Sequence, residues 1–298
     1  MNEIYNKIQL QNYENIYGLT DELKAIYISN HFKEKKENII VLTSSVYETT
    51  KYYNLIKTHC DDVLFFPSDD FLTSVVVAAS PEFETHRITT LSKINNNNNK
   101  KYIVVTNLTG FLKHLPKKES IKDIVLKVGQ DINRDKLIEK LDSYGYYRES
   151  LVTSTGEYSV RGFIIDIFPL KFNSPVRIEL FGDTIESIRE FNYDTQLSIN
   201  DLKEINITPY KENLSEGFDS LHNILNNPFV FKIENDLINK TNELLESEIH
   251  TYKMTNDIDE KLMFNLSDIN IKKYQNLNDF GTKKDSFNFS SEKLENFG

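Results

Sequence analysis

The sequence GEYSVRGFIIDIFP occupies residues 156–169 and predicts a buried β-strand with apolar side chains on both faces. Those side chains form two alternating sets, Phe163, Ile165 and Ile167 on one face and Ile164, Asp166 and Phe168 on the other. Arg161 and Gly162 interrupt this pattern. The segment therefore raises the question of why a buried strand should carry a charged residue followed by glycine.

The residues around this strand predict a small α+β unit. Downstream, VRIELFGDTIESIREF at residues 176–191 has the alternation of a hairpin that turns at Gly182 and Asp183. Upstream, residues 134–141 have the apolar spacing of a helix. We place the boundaries of this α+β unit at residues 116–198.

The flanking sequence has the character of an α/β domain. Residues 1–115 alternate helical segments with short apolar strands such as IIVL, and Thr20 and Ser80 are suitable helix caps. The asparagine run that begins at Asn95 predicts a solvated loop. Residues 199–298 return to a weaker α/β pattern, in which FVFKI precedes a long helix. The polar end of the sequence suggests an amino-terminal piece of a longer protein.

The composition predicts a soluble, cytoplasmic protein. The net charge is −10 and the isoelectric point is about 5.2, which disfavours a surface that binds DNA or anionic membranes by itself, because phosphate binding depends on clustered Lys and Arg. The single cysteine, Cys60, excludes an internal disulfide. The start of the chain lacks the basic and apolar regions of a signal peptide, and no apolar run approaches the roughly 20 residues of a membrane helix.

The residues after the first buried strand disfavour nucleotide binding. A phosphate-binding loop needs a glycine-rich turn ending in Gly-Lys-Ser/Thr, whose backbone amides and lysine hold phosphates. This chain has TSSVYETT at residues 43–50, with no glycine and no lysine at that spacing. The nearest equivalent of an ATPase acidic pair is Glu234 with Asn235, which has an amide in one position. We therefore predict no cofactor and no catalytic residue.

Metal and nucleophile patterns are also weak. His59 and Cys60 precede two aspartates, but adjacent residues do not provide the convergent geometry or the i, i+4 spacing of zinc ligands. Ser44 and Ser45 lack the glycine-flanked elbow of a hydrolase nucleophile. We predict no metal site.

Arginine and glutamate are frequent in the α+β unit. Arg148, Arg161 and Arg177 are interleaved with glutamates such as Glu179. One interpretation is a solvated sheet face with cross-strand ion pairs, each worth less than about 1 kcal/mol. The other is a recognition surface, because arginine beside an exposed aromatic such as Tyr158 is typical of protein interfaces. These residues alone leave both interpretations open.

Several segments together resemble the amino-terminal region of the bacterial transcription-repair coupling factor family, Mfd. In chain order they are FFPSDDFLTSVVVAASPEFETHRITTLSKI, SYGYYRESLV, GEYSVRGFIIDIFPL and VRIELFGDTIESIREFNYDTQLS. The third segment is similar in the excinuclease component UvrB, which retains a phosphate-binding loop, whereas TSSVYETT matches the loss of that loop in the coupling factors.

The resemblance implies a fold and a partner. The fold is α/β, with a degenerate P-loop-like parallel-sheet domain in two parts, 1–115 and 199–298, of which the second is truncated. The inserted α+β domain at 116–198 docks on a second excinuclease component, UvrA. The implied UvrA-contacting residues are Arg148, Arg161, Arg177 and Glu179, supported by Gly162, Tyr158 and Phe163.

In this interpretation Arg161 projects from the sheet as a charged anchor, and Gly162 relieves crowding or admits a bulge beside it. Two positions depart from the UvrB pattern: Ser159 replaces a second arginine, and Phe163 replaces a smaller or acidic residue.

Three functional hypotheses follow. In the first, the chain is a non-catalytic module that recruits UvrA in transcription-coupled nucleotide excision repair. The ATP- and Mg²⁺-dependent motor, and the domains that bind RNA polymerase and DNA, then lie outside these 298 residues. In the second, the chain is an enzyme, either an ATP-dependent DNA repair enzyme similar to UvrB or a nucleotide hydrolase with an unrecognised site. The third is a plain structural domain.

Overall fold

The computed structural model describes residues 8–73, 79–97, 99–215, 217–281 and 285–289. The helices are α1 Asp21–Lys35, α2 Val46–Lys57, α3 Pro81–Asn96, α4 Leu108–Leu112, α5 Arg134–Ser143, α6 Leu221–Ile224 and α7 Asn235–Asn256. The strands are β1 Asn15–Tyr17, β2 Ile39–Thr43, β3 Val63–Phe66, β4 Ile103–Asn107, β5 Leu115–Pro116, β6 Ile124–Lys127, β7 Tyr147–Arg148, β8 Glu157–Arg161, β9 Ile164–Ile167, β10 Val176–Phe181, β11 Thr184–Phe191, β12 Ser198–Leu202, β13 Glu204–Ile207, β14 Phe218–Asp219, β15 Phe229–Ile233, β16 Tyr274–Asn278 and β17 Ser286–Asn288.

The chain divides into two compact units. Unit 1 comprises residues 1–90, 97–115 and 219–298, and unit 2 comprises residues 91–96 and 116–218. Unit 2 therefore extends beyond the sequence-based boundary at residue 198. The reason is strand pairing, because β12 extends the sheet next to β11 and β13 pairs with β6.

Unit 1 is an α/β domain, as the sequence predicts. Among the described residues its sheet has seven strands in the order β17-β1-β16-β15-β2-β4-β3, and every pairing between them is parallel. The central strand β2 is buried at every position, as expected for a strand covered on both faces. On one face, α1 and α2 bury Tyr27 and Tyr52 in the main core, while α4 and α7 pack against β4, β15 and β16.

The predicted helix caps in unit 1 are confirmed. The Thr20 side chain accepts a hydrogen bond from the Leu23 amide at the start of α1. At the start of α3, the Ser80 side chain accepts from the Phe83 amide, and Pro81 occupies the first turn, where its missing N–H costs no hydrogen bond.

The asparagine run differs in part from the predicted loop. Asn95 and Asn96 belong to α3. The Asn95 side-chain amide donates to the carbonyl oxygens of Lys118 at 2.8 Å and Ile121 at 3.1 Å, so this residue is held by partners and is not part of a solvated loop.

Unit 2 is an α+β domain with six described strands in its main sheet. Their order is β12-β11-β10-β9-β8-β7, and only β7 and β8 pair in parallel. Helix α5 buries Leu137 and Leu141 in a core with inward-facing residues of the sheet such as Ile165 and Ile178. The other face of the sheet is therefore the one that can carry a binding surface.

The opening segment at 156–169 forms a hairpin, so the prediction of one continuous strand was wrong. β8 ends at Arg161, β9 begins at Ile164, and these two residues pair across an antiparallel ladder. Gly162 takes a φ of +58°, and glycine at the first central position is the requirement of a type II′ hairpin turn. Arg161 and Gly162 thus end one strand and turn the chain.

Candidate partner-binding surface

Strand register places three of the predicted residues on the outer face of the unit 2 sheet. Tyr158 in β8 and Ile178 in β10 point into the core. Side chains alternate along a strand, so Arg161 in β8 and the two neighbours of Ile178, Arg177 and Glu179, point outward. Across β8, β9 and β10, one outward row aligns Ser159, Asp166 and Arg177, and the next aligns Arg161, Ile164 and Glu179.

Arg177 is engaged in a planar, two-point ion pair. Its Nε donates to Asp166 Oδ1 at 2.7 Å and its Nη2 to Asp166 Oδ2 at 2.8 Å. Nη2 also donates to Gln196, and the guanidinium carbon lies 4.5 Å from the centre of the Phe191 ring. Donation of these hydrogen bonds to the Asp166 carboxylate raises the pKa of Arg177 above its ordinary value. The Asp166 side chain is only 4% exposed, so Arg177 neutralises a buried charge.

Glu179 is held by the neighbouring strand. Its carboxylate accepts hydrogen bonds from Ser187 at 2.9 Å and from Arg189 at 2.5 and 2.9 Å. Partial burial acts to raise the pKa of Glu179, but these hydrogen bonds outweigh burial and lower it. Glu179 and Arg189 therefore form a cross-strand ion pair, as the solvated-face interpretation expects.

Arg161 has a different environment. It is exposed at the end of β8, and its Nη2 donates to the carbonyl oxygen of Ser150. The buried Ser159 hydroxyl donates to the same oxygen at 3.3 Å. Within the described parts of the chain, no carboxylate lies within ion-pair distance of Arg161. Its charge is therefore available to a partner.

Arg148 is not in these outward rows. It lies in β7, where register pairs it with the core-facing Tyr158. The four predicted contact residues are therefore not all on one face of the sheet.

Tyr158 is buried, so its prediction as an exposed aromatic was wrong. Its relative exposure is 0%, and its hydroxyl donates to Asp142 Oδ1 at 2.6 Å. Burial, followed by the Asp142 carboxylate, raises the pKa of Tyr158 to about 12. The sequence signal for this burial is strand alternation: Tyr158 is next to the outward Ser159 in β8, so its side chain points to the core.

Two exposed phenylalanines lie at the hairpin turns. Phe163, in the β8–β9 turn, is 62% exposed, and Phe181, at the end of β10, is 79% exposed. Sequence reasoning singled out Phe163 and missed Phe181. The signal for Phe181 is its position in VRIELF, where it follows the outward residues Arg177 and Glu179 at the two-residue spacing of one strand face.

In unit 1, residues 43–50 form the end of β2, a two-residue connection and the first residues of α2, and they lie beside a charged cleft at the carboxyl ends of the strands. Lys24, whose side chain is fully buried, contacts Glu234 and Asp279 at 2.5 Å each. The cleft has a volume of about 140 Å³, small beside the roughly 300–1,000 Å³ of typical small-molecule sites. Glu234, the predicted equivalent of an ATPase acidic residue, is thus a partner of Lys24.

The rest of this cleft is also paired internally. Lys51 contacts Asp21 at 3.0 Å and Glu48 at 2.8 Å, and the Tyr52 hydroxyl donates to Asp21. The first turn of α2 is capped by Ser45, which accepts from the Glu48 amide. Together with Glu234 and Asp279, four carboxylates surround two lysines, which is unfavourable for a polyphosphate.

Other chemistries have little support in the described residues. No group of three or more His, Cys, Asp or Glu side chains there could hold a metal ion. No helix in the described part of the chain is long and apolar enough to span a membrane.

Comparison with known proteins adds a family to this geometry. Residues 124–212, all within unit 2, match the UvrB interaction domain. The chain is 36% identical over 199 residues to the transcription-repair-coupling factor of Bacillus subtilis, covering 65% of this chain and 17% of that protein. It is 34% identical over 241 residues to the transcription-repair-coupling factor of Staphylococcus epidermidis, covering 78% of this chain and 20% of the relative.

The chain is related to the amino-terminal region of transcription-repair-coupling factors. The family resemblance inferred from the sequence segments is thereby confirmed. The matched part of the chain spans about a fifth of the length of its coupling-factor relatives. The match to the UvrB interaction domain covers every predicted contact residue, from Arg148 to Glu179.

Proposed function

We propose that this chain is a non-catalytic module of a transcription-repair coupling factor and that unit 2 recruits UvrA in transcription-coupled nucleotide excision repair. In this proposal UvrA contacts the outer face of the six-stranded sheet, and Arg148 adds a contact from the sheet edge. RNA polymerase, DNA, ATP and Mg²⁺ are assigned to parts of the longer relatives outside the aligned region.

One observation carries the proposal. The unit that matches the UvrB interaction domain is also the unit that presents Arg161, an exposed guanidinium without a described ion-pair partner, among exposed aromatic side chains. Arginine and aromatic residues dominate the energetics of protein interfaces, because they combine a large contact area with directed hydrogen bonds.

The alternative of an ATP-dependent, UvrB-like enzyme has less support. The segment at 43–50 has no glycine, and the adjacent cleft holds four carboxylates around Lys24 and Lys51. A triphosphate entering this cleft would have to displace paired acids from both lysines. We therefore assign no nucleotide and no reaction to this chain.

Titration of the whole chain with purified UvrA tests the proposal. We expect saturable binding that does not require nucleotide on this chain, and no ATP turnover above that of buffer. Absence of UvrA binding would refute recruitment, and ATP hydrolysis by the chain alone would favour the enzyme hypothesis.

A further inference from the structure

Two exposed phenylalanines of unit 2, Phe163 and Phe181, lie on adjacent hairpins at one end of the same sheet. β9 and β10 are antiparallel neighbours, so the β8–β9 turn at Gly162 and Phe163 lies beside the β10–β11 turn at Gly182. The Leu180 amide donates to the Phe163 carbonyl at 2.9 Å, which brings Phe163 within one residue of Phe181 along the backbone ladder.

Local packing does not require either ring to be exposed. Phenylalanine is among the residues most often fully buried, and clustered exposed apolar side chains mark interaction sites more often than single ones do. The core beneath these turns is completed by Leu180 and Ile185, which are buried. The rings of Phe163 and Phe181 therefore add apolar surface that the fold itself does not use.

The tight turns also fix where these rings are presented. Gly162 and Gly182 have φ values of +58° and +62°, each at the first position of a two-residue turn. Such turns leave the hairpin ends little conformational freedom. Ordering these turns when a partner binds therefore costs little conformational entropy, which favours binding.

The charge beside this aromatic pair indicates what the partner surface must offer. Arg161 immediately precedes the first turn, and the carboxylate of Glu179 is occupied by Ser187 and Arg189. A complementary surface would present apolar pockets for two rings and a carboxylate or carbonyl oxygen for Arg161.

We propose that UvrA is held at this hairpin end of the sheet by the aromatic pair Phe163 and Phe181, with Arg161 as an adjacent charged contact. The inference rests on the proposed recruitment of UvrA and specifies where and how UvrA binds. The aromatic pair supplies most of the affinity, and Arg161 supplies orientation and dependence on salt.

The test is a calorimetric titration of the whole chain with purified UvrA, using Phe163→Ser, Phe181→Ser and the double variant. We expect each single change to weaken binding by about 30-fold and the double change by more than about 100-fold, as for interface hot spots. The controls are Leu197→Ser, an exposed apolar residue at the opposite end of the same sheet, and Phe280→Ser, an exposed phenylalanine of unit 1. Both controls should bind within about twofold of the parent chain.

Salt separates the two kinds of contact. Between roughly 0.1 M and 1 M salt the Debye length falls from about 10 Å to about 3 Å. The fold-loss of the phenylalanine variants should persist over this range, whereas the fold-loss of Arg161→Ala should shrink. A double phenylalanine variant that binds like the parent chain overturns the inference but leaves UvrA recruitment intact, while a parent chain that does not bind removes both.

Hydrogen exchange provides a readout without mutation. On addition of UvrA, amides at 161–164 and 180–184 should become protected, while those at 192–197, at the other end of the sheet, should not. Protection confined to 192–197 or to unit 1 would overturn the inference even if a serine variant failed to fold.

Discussion

Arg161 and Arg177 lie on the same face of the unit 2 sheet and differ in what surrounds their guanidinium groups. Arg177 faces a buried aspartate and donates to it at two points, whereas the Arg161 guanidinium, among the described residues, donates to a carbonyl oxygen and to no carboxylate. An arginine that neutralises a buried acid stabilises the fold, and one that retains free donors can bind a partner. The two substitutions should therefore affect different measurements.

Replacing Arg161 with alanine should weaken UvrA binding by about 1–3 kcal/mol, because a charged hydrogen-bonding anchor is lost. Since Arg161 is exposed and has no described ion-pair partner, the free energy of unfolding should change by less than about 0.5 kcal/mol. Lys136→Ala, an exposed change on α5, is the control and should leave binding unchanged. Affinity equal to that of the parent chain would count against Arg161 as an anchor.

Replacing Arg177 with alanine should lower the free energy of unfolding of unit 2 by about 3 kcal/mol, because Asp166 would be left buried without its partner. Urea unfolding measures this change. The double variant Arg177→Ala/Asp166→Asn should recover part of the loss, since the unpaired charge is removed. If the single variant is as stable as the parent chain, the ion pair does not have the structural role assigned to it.

At the scale of elements, Lys24 joins three segments that are far apart in sequence. It lies in α1, and its partners Glu234 and Asp279 follow β15 and β16. Glu234 is the N-cap residue of α7 and has a left-handed conformation with a φ of 52°; its carboxylate also accepts a hydrogen bond from the Asp279 amide. This network occupies the strand ends where related folds place phosphates.

Lys24→Met should lower the free energy of unfolding of unit 1 by about 1–3 kcal/mol, because two partly buried carboxylates lose their shared cation. The measurement is urea unfolding with hydrogen exchange on α1 and α7. Lys35→Met is the control, because its contact with Glu34 is on the surface and is worth little. We also expect the Lys24→Met variant not to bind ATP, because Lys51 and its carboxylate partners still occupy the cleft. ATP binding by this variant would contradict that expectation.

At the scale of the whole molecule, the histidines are unevenly distributed. None of the six lies in residues 91–96 or 116–218, which form unit 2. In unit 1, burial lowers the pKa of four histidines, His31, His59, His114 and His222, and for His31 it outweighs the opposing effect of Glu37. Native unit 1 therefore takes up protons less readily than its unfolded chain.

This difference predicts that acid destabilises unit 1 before unit 2. Because the native histidine pKa values lie below the unfolded value of about 6.5, their stabilising contribution is present above that pH and is lost as pH falls, by at most about 1.4 kcal/mol per pH unit for each residue. Burial raises the pKa of Glu234, which acts in the opposite direction, but it is one group against four histidines.

Hydrogen exchange at pH 7.5 and pH 5.5 measures this effect for each unit. Amide protection should fall in unit 1 and change little in unit 2. His31→Gln should reduce the loss in unit 1, while the exposed control His250→Gln should not. Equal losses in the two units would contradict the prediction.

Much of the fold follows from local sequence. Alternating apolar strands and helix caps such as Thr20 and Ser80 depend on residues close in the chain, so they predict the α/β class and several helix starts. The absence of glycine at 43–50 likewise excludes a standard phosphate-binding loop from the sequence alone. The family segments identify the α+β unit for the same reason, since each is a continuous run of residues.

Side-chain roles and domain limits were decided by contacts between distant residues. Strand register separates Arg177, bound to Asp166, from the available Arg161, and it turns Tyr158 inward. Pairing of β12 and β13 with earlier strands extends unit 2 to residue 218. Local sequence determines which conformations a segment prefers, but burial and charge pairing depend on which segments meet, and only the tertiary structure specifies that.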